Sequence, residues 1–235
     1  MTWGDTAEPS AYLTRARVAI FALTRTGTTA MAMANDVHEG DLPAGLNWGP
    51  VVAIDTETMG LDPRRDRLCV AQLSNGDGHC HLVRFAERRY EAPRLKALLS
   101  DPKVLKLFHF ARFDVATLKR HLGVETGPVY CTKIASRLVR TYTDRHGLKD
   151  LCRELLGLDI SKVQQSSDWG APALSAEQIE YAATDVLHLH ALKARLDTML
   201  AREGRTELAA RCFAFLSTRT DLDLAGWPGE DIFSH

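Results

Sequence analysis

The stretch Val51-Val52-Ala53-Ile54-Asp55-Thr56-Glu57-Thr58 constrains the fold more than any other. Its opening is apolar and β-forming, without the alternation of a strand that has one wet face. Such a run reads as a central strand buried on both sides. Two acids close it. Residues two apart on a strand share a face, so Asp55 and Glu57 can reach one cavity beyond the strand's end. Taken alone, the pair is better explained as surface acids at a strand terminus, which are common in α/β proteins.

The flanking pattern extends that strand into a sheet. Residues 67–74 and 79–85 read as strands, and Asn75-Gly76-Asp77-Gly78 between them is a hairpin signal, so the opening is an antiparallel meander. Residues 93–99 suggest a short helix, 104–108 a fourth strand, 113–122 a helix stopped at Gly123, and 129–131 a short fifth strand. Helical spacing follows over 132–139, 148–156, 176–202 and 203–215, with Ser175 and Gln178 as a capping box for the long helix. The expected fold class is α/β, a mixed five-stranded sheet flanked by helices. The domain is expected over residues 37–216. A poorly ordered extension over 1–36 precedes it, and a tail over 217–235 follows; folded-domain signals begin only after Met31 and Met33.

Bulk properties narrow the function. With 29 basic and 30 acidic residues the net charge is -1. Proteins that track long nucleic acid by neutralising its backbone are usually basic, so a small substrate or a local basic patch is expected. The five cysteines are odd in number and form no Cys-x-x-Cys, which argues against a disulfide framework or a zinc site and for a cytoplasmic setting. No stretch is long enough to span a membrane.

Two further motifs carry acids. Asp114 ends His109-Phe110-Ala111-Arg112-Phe113-Asp114, after the fourth apolar strand. Tyr181 precedes Asp185 by four residues, which places both on one helix face. Separately, each has a bland reading: an acid favoured at a helix N-terminus, and a tyrosine packed on its own turn. Together with Asp55 and Glu57 they make an ordered set. Four converging carboxylates would repel one another and resist ionisation unless divalent cations lay between them.

In this set the chain resembles the DEDD superfamily of 3′-5′ exonucleases, named for its four acids. Tyr181 matches the tyrosine subclass; the histidine subclass would carry its histidine five residues before the last acid, where this chain has Glu180. Lys162-Val163-Gln164-Gln165-Ser166-Ser167-Asp168-Trp169 is similar to the Lys-x-x-Gln-x-Ser-Asp-Trp pattern of ribonuclease D catalytic domains. Cys131-Thr132-Lys133-Ile134-Ala135-Ser136 and Thr141 to Lys149, without the helical domains of ribonuclease D proper, resemble the compact nanoRNase C family. Cys131 departs from wider ribonuclease D usage, where an aspartate commonly precedes the threonine.

The resemblance implies a ribonuclease H-like 3′-5′ exonuclease fold and two-metal phosphodiester hydrolysis of very short RNA, including dinucleotides, to nucleoside 5′-monophosphates. Short DNA is a further candidate substrate, and the family likeness implies a homo-octamer. Asp55, Glu57, Asp114 and Asp185 would hold two Mg²⁺ or Mn²⁺ ions, hard cations suited to an all-oxygen set. Tyr181 completes the catalytic group. A phenol titrates near pH ~10, so hydrogen bonding to the attacking water comes before proton abstraction. Thr58, Met59, Gly60 and Leu61 would meet the 3′-terminal base, with Leu61 as a wedge; a plain turn is the alternative. Phe110, beside His109, could stack on a base or belong to the core. Lys133, Arg137, Arg140, Arg145 and Lys149 form a basic cluster that either grips a terminal phosphate or is a solvated helix face or subunit contact. Gln165 and Asp168 are expected on a loop near the scissile end, with Trp169 as a buried structural residue. The rival enzyme reading is a broader 3′-5′ exonuclease on structured RNA or DNA ends. A catalytically silent binding module would have lost an acid, and all four are present.

Overall fold

The structure, a computed structural model, describes residues 35–235 except Lys162 and Gln165. The expected extension over 1–36 therefore falls almost wholly outside the described residues, as does Gln165.

Six strands form one mixed sheet in the order β1-β4-β3-β2-β5-β6: β1 Asn35–Glu39, β2 Val51–Thr58, β3 Leu68–Ser74, β4 Cys80–Arg84, β5 Leu105–Phe108 and β6 Val129–Cys131. The meander β2-β3-β4 is antiparallel as expected, and β5 and β6 add parallel to β2. The expectation of five strands is corrected by β1. Its sequence, Asn-Asp-Val-His-Glu, is polar and mostly exposed, and parallel pairing with β4 holds it at the sheet edge. Hydrophobic periodicity does not reveal such a strand.

Helices cover both faces of the sheet. Ile54, Leu73 and Val83 point into one core with α1 (Pro93–Ser100) and α2 (Ala111–Leu122). Ala53, Val70 and Leu82 point into the other, against α3 (Thr132–Val139), α5 (Ala176–Leu187) and α6 (Leu189–Arg202). Between them, α4 (Leu148–Leu151) runs into a π-helical turn over Cys152–Leu156. The capping box at Ser175 forms in full, since Gln178 N donates to Ser175 Oγ at 3.2 Å and Ser175 N to Gln178 Oε1 at 2.9 Å.

Two helical expectations change. The long helix divides at His188 into α5 and α6. The segment beyond residue 216 opens as a helix: α7 (Thr206–Ala214) is followed by α8 (Leu216–Ala225). Arg112 on α2 clamps Asp223 of α8 through two hydrogen bonds of 2.6 Å each, so α8 is tied to the helix that carries Asp114. Among the described residues, no helix is long and apolar enough to cross a membrane.

Candidate active site

The carboxyl end of β2 opens into a cleft of about 660 Å³. Strand alternation aims Asp55 and Glu57 into it, and α5 brings Tyr181 and Asp185 to its wall. Oxygen atoms of Asp55, Glu57 and Asp185 lie within 4.8 Å of one another. Asp114, on the first turn of α2, lines the same cleft but stands outside that tight group. Thr56 points to the other side of β2, where its hydroxyl donates to Asp114 Oδ1 at 2.7 Å. On β3, Gln72 lies opposite Asp55 and donates its amide to Asp55 Oδ2 at 2.7 Å. Sequence reasoning missed Thr56 and Gln72. A buried amide in the interior of the largely apolar Leu68–Ser74 strand was the available signal, because such a group needs a partner.

The acids strain against one another electrostatically. Burial, reinforced by Asp114, Asp185 and Glu57, pushes the Asp55 carboxyl well above the ordinary range. Glu57 is pushed up to about 9 by burial and by Asp185 and Asp114. Burial also raises Asp114 to about 7, against the lowering pull of the Thr56 hydroxyl. Acids set this close and this dry ionise together only beside positive charge. The donors are all carboxylate oxygens, the set hard divalent cations prefer. The residues present therefore fit Mg²⁺ or Mn²⁺. When bound, such ions supply Lewis acidity that activates water and stabilises a leaving oxygen.

Tyr181 is shifted the same way. Burial, then the Asp185 and Glu57 carboxylates, raises its phenol above the ordinary value. The hydroxyl keeps its proton at neutral pH, so it is available in the cleft as a hydrogen-bond donor rather than as a base. Trp169, 3% exposed, packs on it with ring centroids 6.1 Å apart and also lines the cleft.

The remaining expected contacts divide. Thr58, Met59, Gly60 and Leu61 line the cleft, and Leu61 is 88% exposed, which suits a wedge. Gly60 leaves room for its neighbour, since a Cβ there would sit 2.2 Å from Asp66 Oδ2. Phe110 caps α2 in a left-handed conformation (φ 66°) and is 45% exposed at the cleft, so it is no core residue. Bulky residues rarely hold this conformation without local cause. Lys133 lies 4.2 Å over the Phe110 ring. The Thr132 hydroxyl donates to Phe108 O at 3.2 Å, so it accepts from His109 Nδ1 at 2.8 Å, which fixes that histidine's tautomer.

Three expected contacts fall elsewhere. Arg140 is fully buried: it pairs with Glu154 and donates to Ser136 Oγ at 3.0 Å and Arg145 O at 2.7 Å, so it holds helices together and cannot grip substrate. Arg137 lines a neighbouring, largely apolar cavity of about 570 Å³ that shares Phe110 and Lys133 with the cleft. Asp168 is not in the cleft lining; its Oδ1 accepts from Gly170 N at 2.9 Å and shapes the turn. Ser166 and Ser167 from that loop, with Gly147 and Leu148, complete the wall.

A mixed sheet with acids at the end of its central strand and a tyrosine-acid pair on the facing helix defines a metal-dependent nuclease domain. The chain belongs to the 3′-5′ exonuclease family, whose model matches residues 33–201. NrnC from Brucella melitensis with bound Mg²⁺ is similar at 54% identity and a TM-score of 0.83, covering 86% of this chain and 100% of that one. The same protein bound to pGG matches at 55% identity and a TM-score of 0.84, covering 87% and 100%. A ribonuclease D from Gluconacetobacter diazotrophicus is 37% identical over 172 residues, covering 73% of this chain and 43% of that relative. The chain thus spans less than half the length of the ribonuclease D sequences it matches.

Proposed function

We propose that this chain is a metal-dependent 3′-5′ exoribonuclease that hydrolyses very short RNA, dinucleotides included, to nucleoside 5′-monophosphates. The observation that carries the reading is the convergence of Asp55, Glu57 and Asp185 within 4.8 Å, with Asp114 beside them, in a cleft of about 660 Å³. That volume suits a small ligand rather than a long strand. A net charge of -1 agrees, because a long phosphodiester chain would call for more basic surface. The likeness to a protein solved with pGG supports the same substrate class.

In this reading Phe110 and Leu61 pack on bases, and Lys133 faces the phosphate side. Tyr181 directs the hydroxyl hydrogen that aligns the attacking water. Gln72 and Thr56 hold Asp55 and Asp114 in place. In this proposal the exonuclease domain, expected over 37–216, also takes in β1 at its start and α8, which Arg112 and Asp223 tie to α2, at its end. A cytoplasmic homo-octamer belongs to the same proposal; exposed Phe215, Trp227 and Phe233 are surfaces that a neighbouring subunit would cover. Likeness to ribonuclease D supports the second reading, a broader exonuclease on structured RNA or DNA ends.

A 5′-labelled dinucleotide and a longer oligomer in one tube, with and without chelator, separate the two. Rapid, chelator-sensitive loss of the dinucleotide is expected. Trimming of the longer oligomer while the dinucleotide persists would overturn the short-substrate assignment.

A further inference from the structure

The polar edge of the sheet holds a cluster that the acid cleft does not use. Asp36 and His38 alternate on β1, and His79 and His81 alternate around the start of β4. Asp36 is in register with His81, so all four side chains share one face of the sheet. His38 Nε2 lies 3.0 Å from His81 Nδ1, and Asp36 Oδ2 lies 3.9 Å from the same His81 nitrogen. One donor atom each from Asp36, His38 and His81 fits within 4.8 Å. In a tetrahedral site with bonds of about 2.0–2.1 Å, donor atoms stand about 3.3 Å apart. The cluster brackets that spacing with only small side-chain movement.

We propose that Asp36, His38 and His81 form a second metal site, for a borderline divalent cation of the zinc class. Two imidazoles and one carboxylate make a donor set that favours zinc, cobalt or nickel over magnesium. Coordination requires the hydrogen now shared by the two facing nitrogens to move to a ring nitrogen turned away. The surroundings are built to orient the ligands. His79 Nε2 sits 3.1 Å from Asp36 Oδ2 and its ring stacks on His81 at 4.5 Å, while Trp48 meets His81 edge-on at 5.4 Å. Side-chain exposure of 14% at His81 and 55% at Asp36 leaves a route in from solvent.

This site is separate from the nuclease centre. His81 pairs with Leu73, and Leu73 with Ile54, so His81 lies two strands, about 10 Å, from β2. It faces the side of the sheet opposite Asp55.

Equilibrium dialysis of the full chain against Zn²⁺ in excess Mg²⁺, with Co²⁺ ligand-field spectra as a second readout, tests the proposal. The expected result is one retained Zn²⁺ per chain in the wild type and in Asp55→Asn. The His38→Ala/His81→Ala protein should lose that ion while its Mg²⁺-supported nuclease rate, which reports folding, is unchanged. His79→Ala should bind about 10–100-fold more weakly. Retention of Zn²⁺ by the double variant, its loss in Asp55→Asn, or no retention by the wild type would each overturn the assignment. If the double variant fails to fold, unchanged affinity in Asp36→Ala, a change at an exposed ligand, has the same force.

Discussion

Without metal, the acid cleft should make the protein less stable as pH rises. Asp114 is the cleanest case, since it is 2% exposed and its pKa is lifted from 3.8 to about 7. A carboxyl raised in the folded state binds its proton more tightly there than in the unfolded chain. Its stabilising contribution is complete below the unfolded pKa and disappears as pH climbs through the folded one. Between pH ~5 and ~7 the unfolded acid is ionised and the folded acid is not. At about 1.4 kcal/mol per pH unit the loss approaches 3 kcal/mol. For a chain of this size that amounts to roughly 10 °C in Tm. Half-buried histidines oppose the trend: desolvation lowers His81, His121, His188 and His190, and their contribution grows as pH rises. The decisive quantity is therefore the difference between wild type and Asp114→Asn, in which the histidine terms cancel. Differential scanning calorimetry in chelator, from pH ~5 to ~8, should show the wild-type Tm falling relative to the variant by about that amount. Saturating Mg²⁺ should abolish the relative fall. Parallel pH profiles for the two metal-free proteins would refute the electrostatic account of the cleft.

The remaining predictions concern activity. Asp55→Asn should reduce turnover by at least about a hundredfold at saturating Mg²⁺, measured by product release from a labelled dinucleotide. Gln72→Leu removes the amide that holds Asp55 and should weaken Mg²⁺ activation by about 10–100-fold, with the rate recovering at high metal; a rate loss that metal cannot restore would contradict that role. Tyr181→Phe should lower kcat by about a hundredfold or more while KM changes little, and the wild-type profile should show no phenol ionisation from pH ~7 to ~9. Phe110→Ala should raise KM by the equivalent of about 1–3 kcal/mol if the ring stacks on a base, and leave kcat nearly unchanged.

These predictions rest on two kinds of contact that differ in legibility. The central strand and its meander could be read because burial on both faces and a Gly-rich hairpin leave local patterns, seen at Val51–Thr58 and at Asn75 to Gly78. Asp55, Glu57, Asp114, Tyr181 and Asp185 could be read because acids at the ends of apolar elements need a reason, and their order supplied one. Nothing local announced β1, which is mostly polar, lacks a buried apolar residue and is held by pairing with β4. Likewise the break at His188 lacks glycine or proline, and helical spacing runs straight through it. Arg140 shows the limit most sharply. Beside Lys133 and Arg137 it reads as part of a basic face. Yet Glu154, on the π-helical turn, together with Ser136 and the Arg145 carbonyl, turns it inward. An arginine's reach and fork let it serve either purpose, and only the tertiary partner decides which. The acids could not be reassigned in that way, because no apolar interior tolerates four of them without a cation. The proposed catalytic set is thus legible from residue type, whereas the groups that hold it, Gln72 and Thr56, depend on contacts that exist only once the sheet has closed.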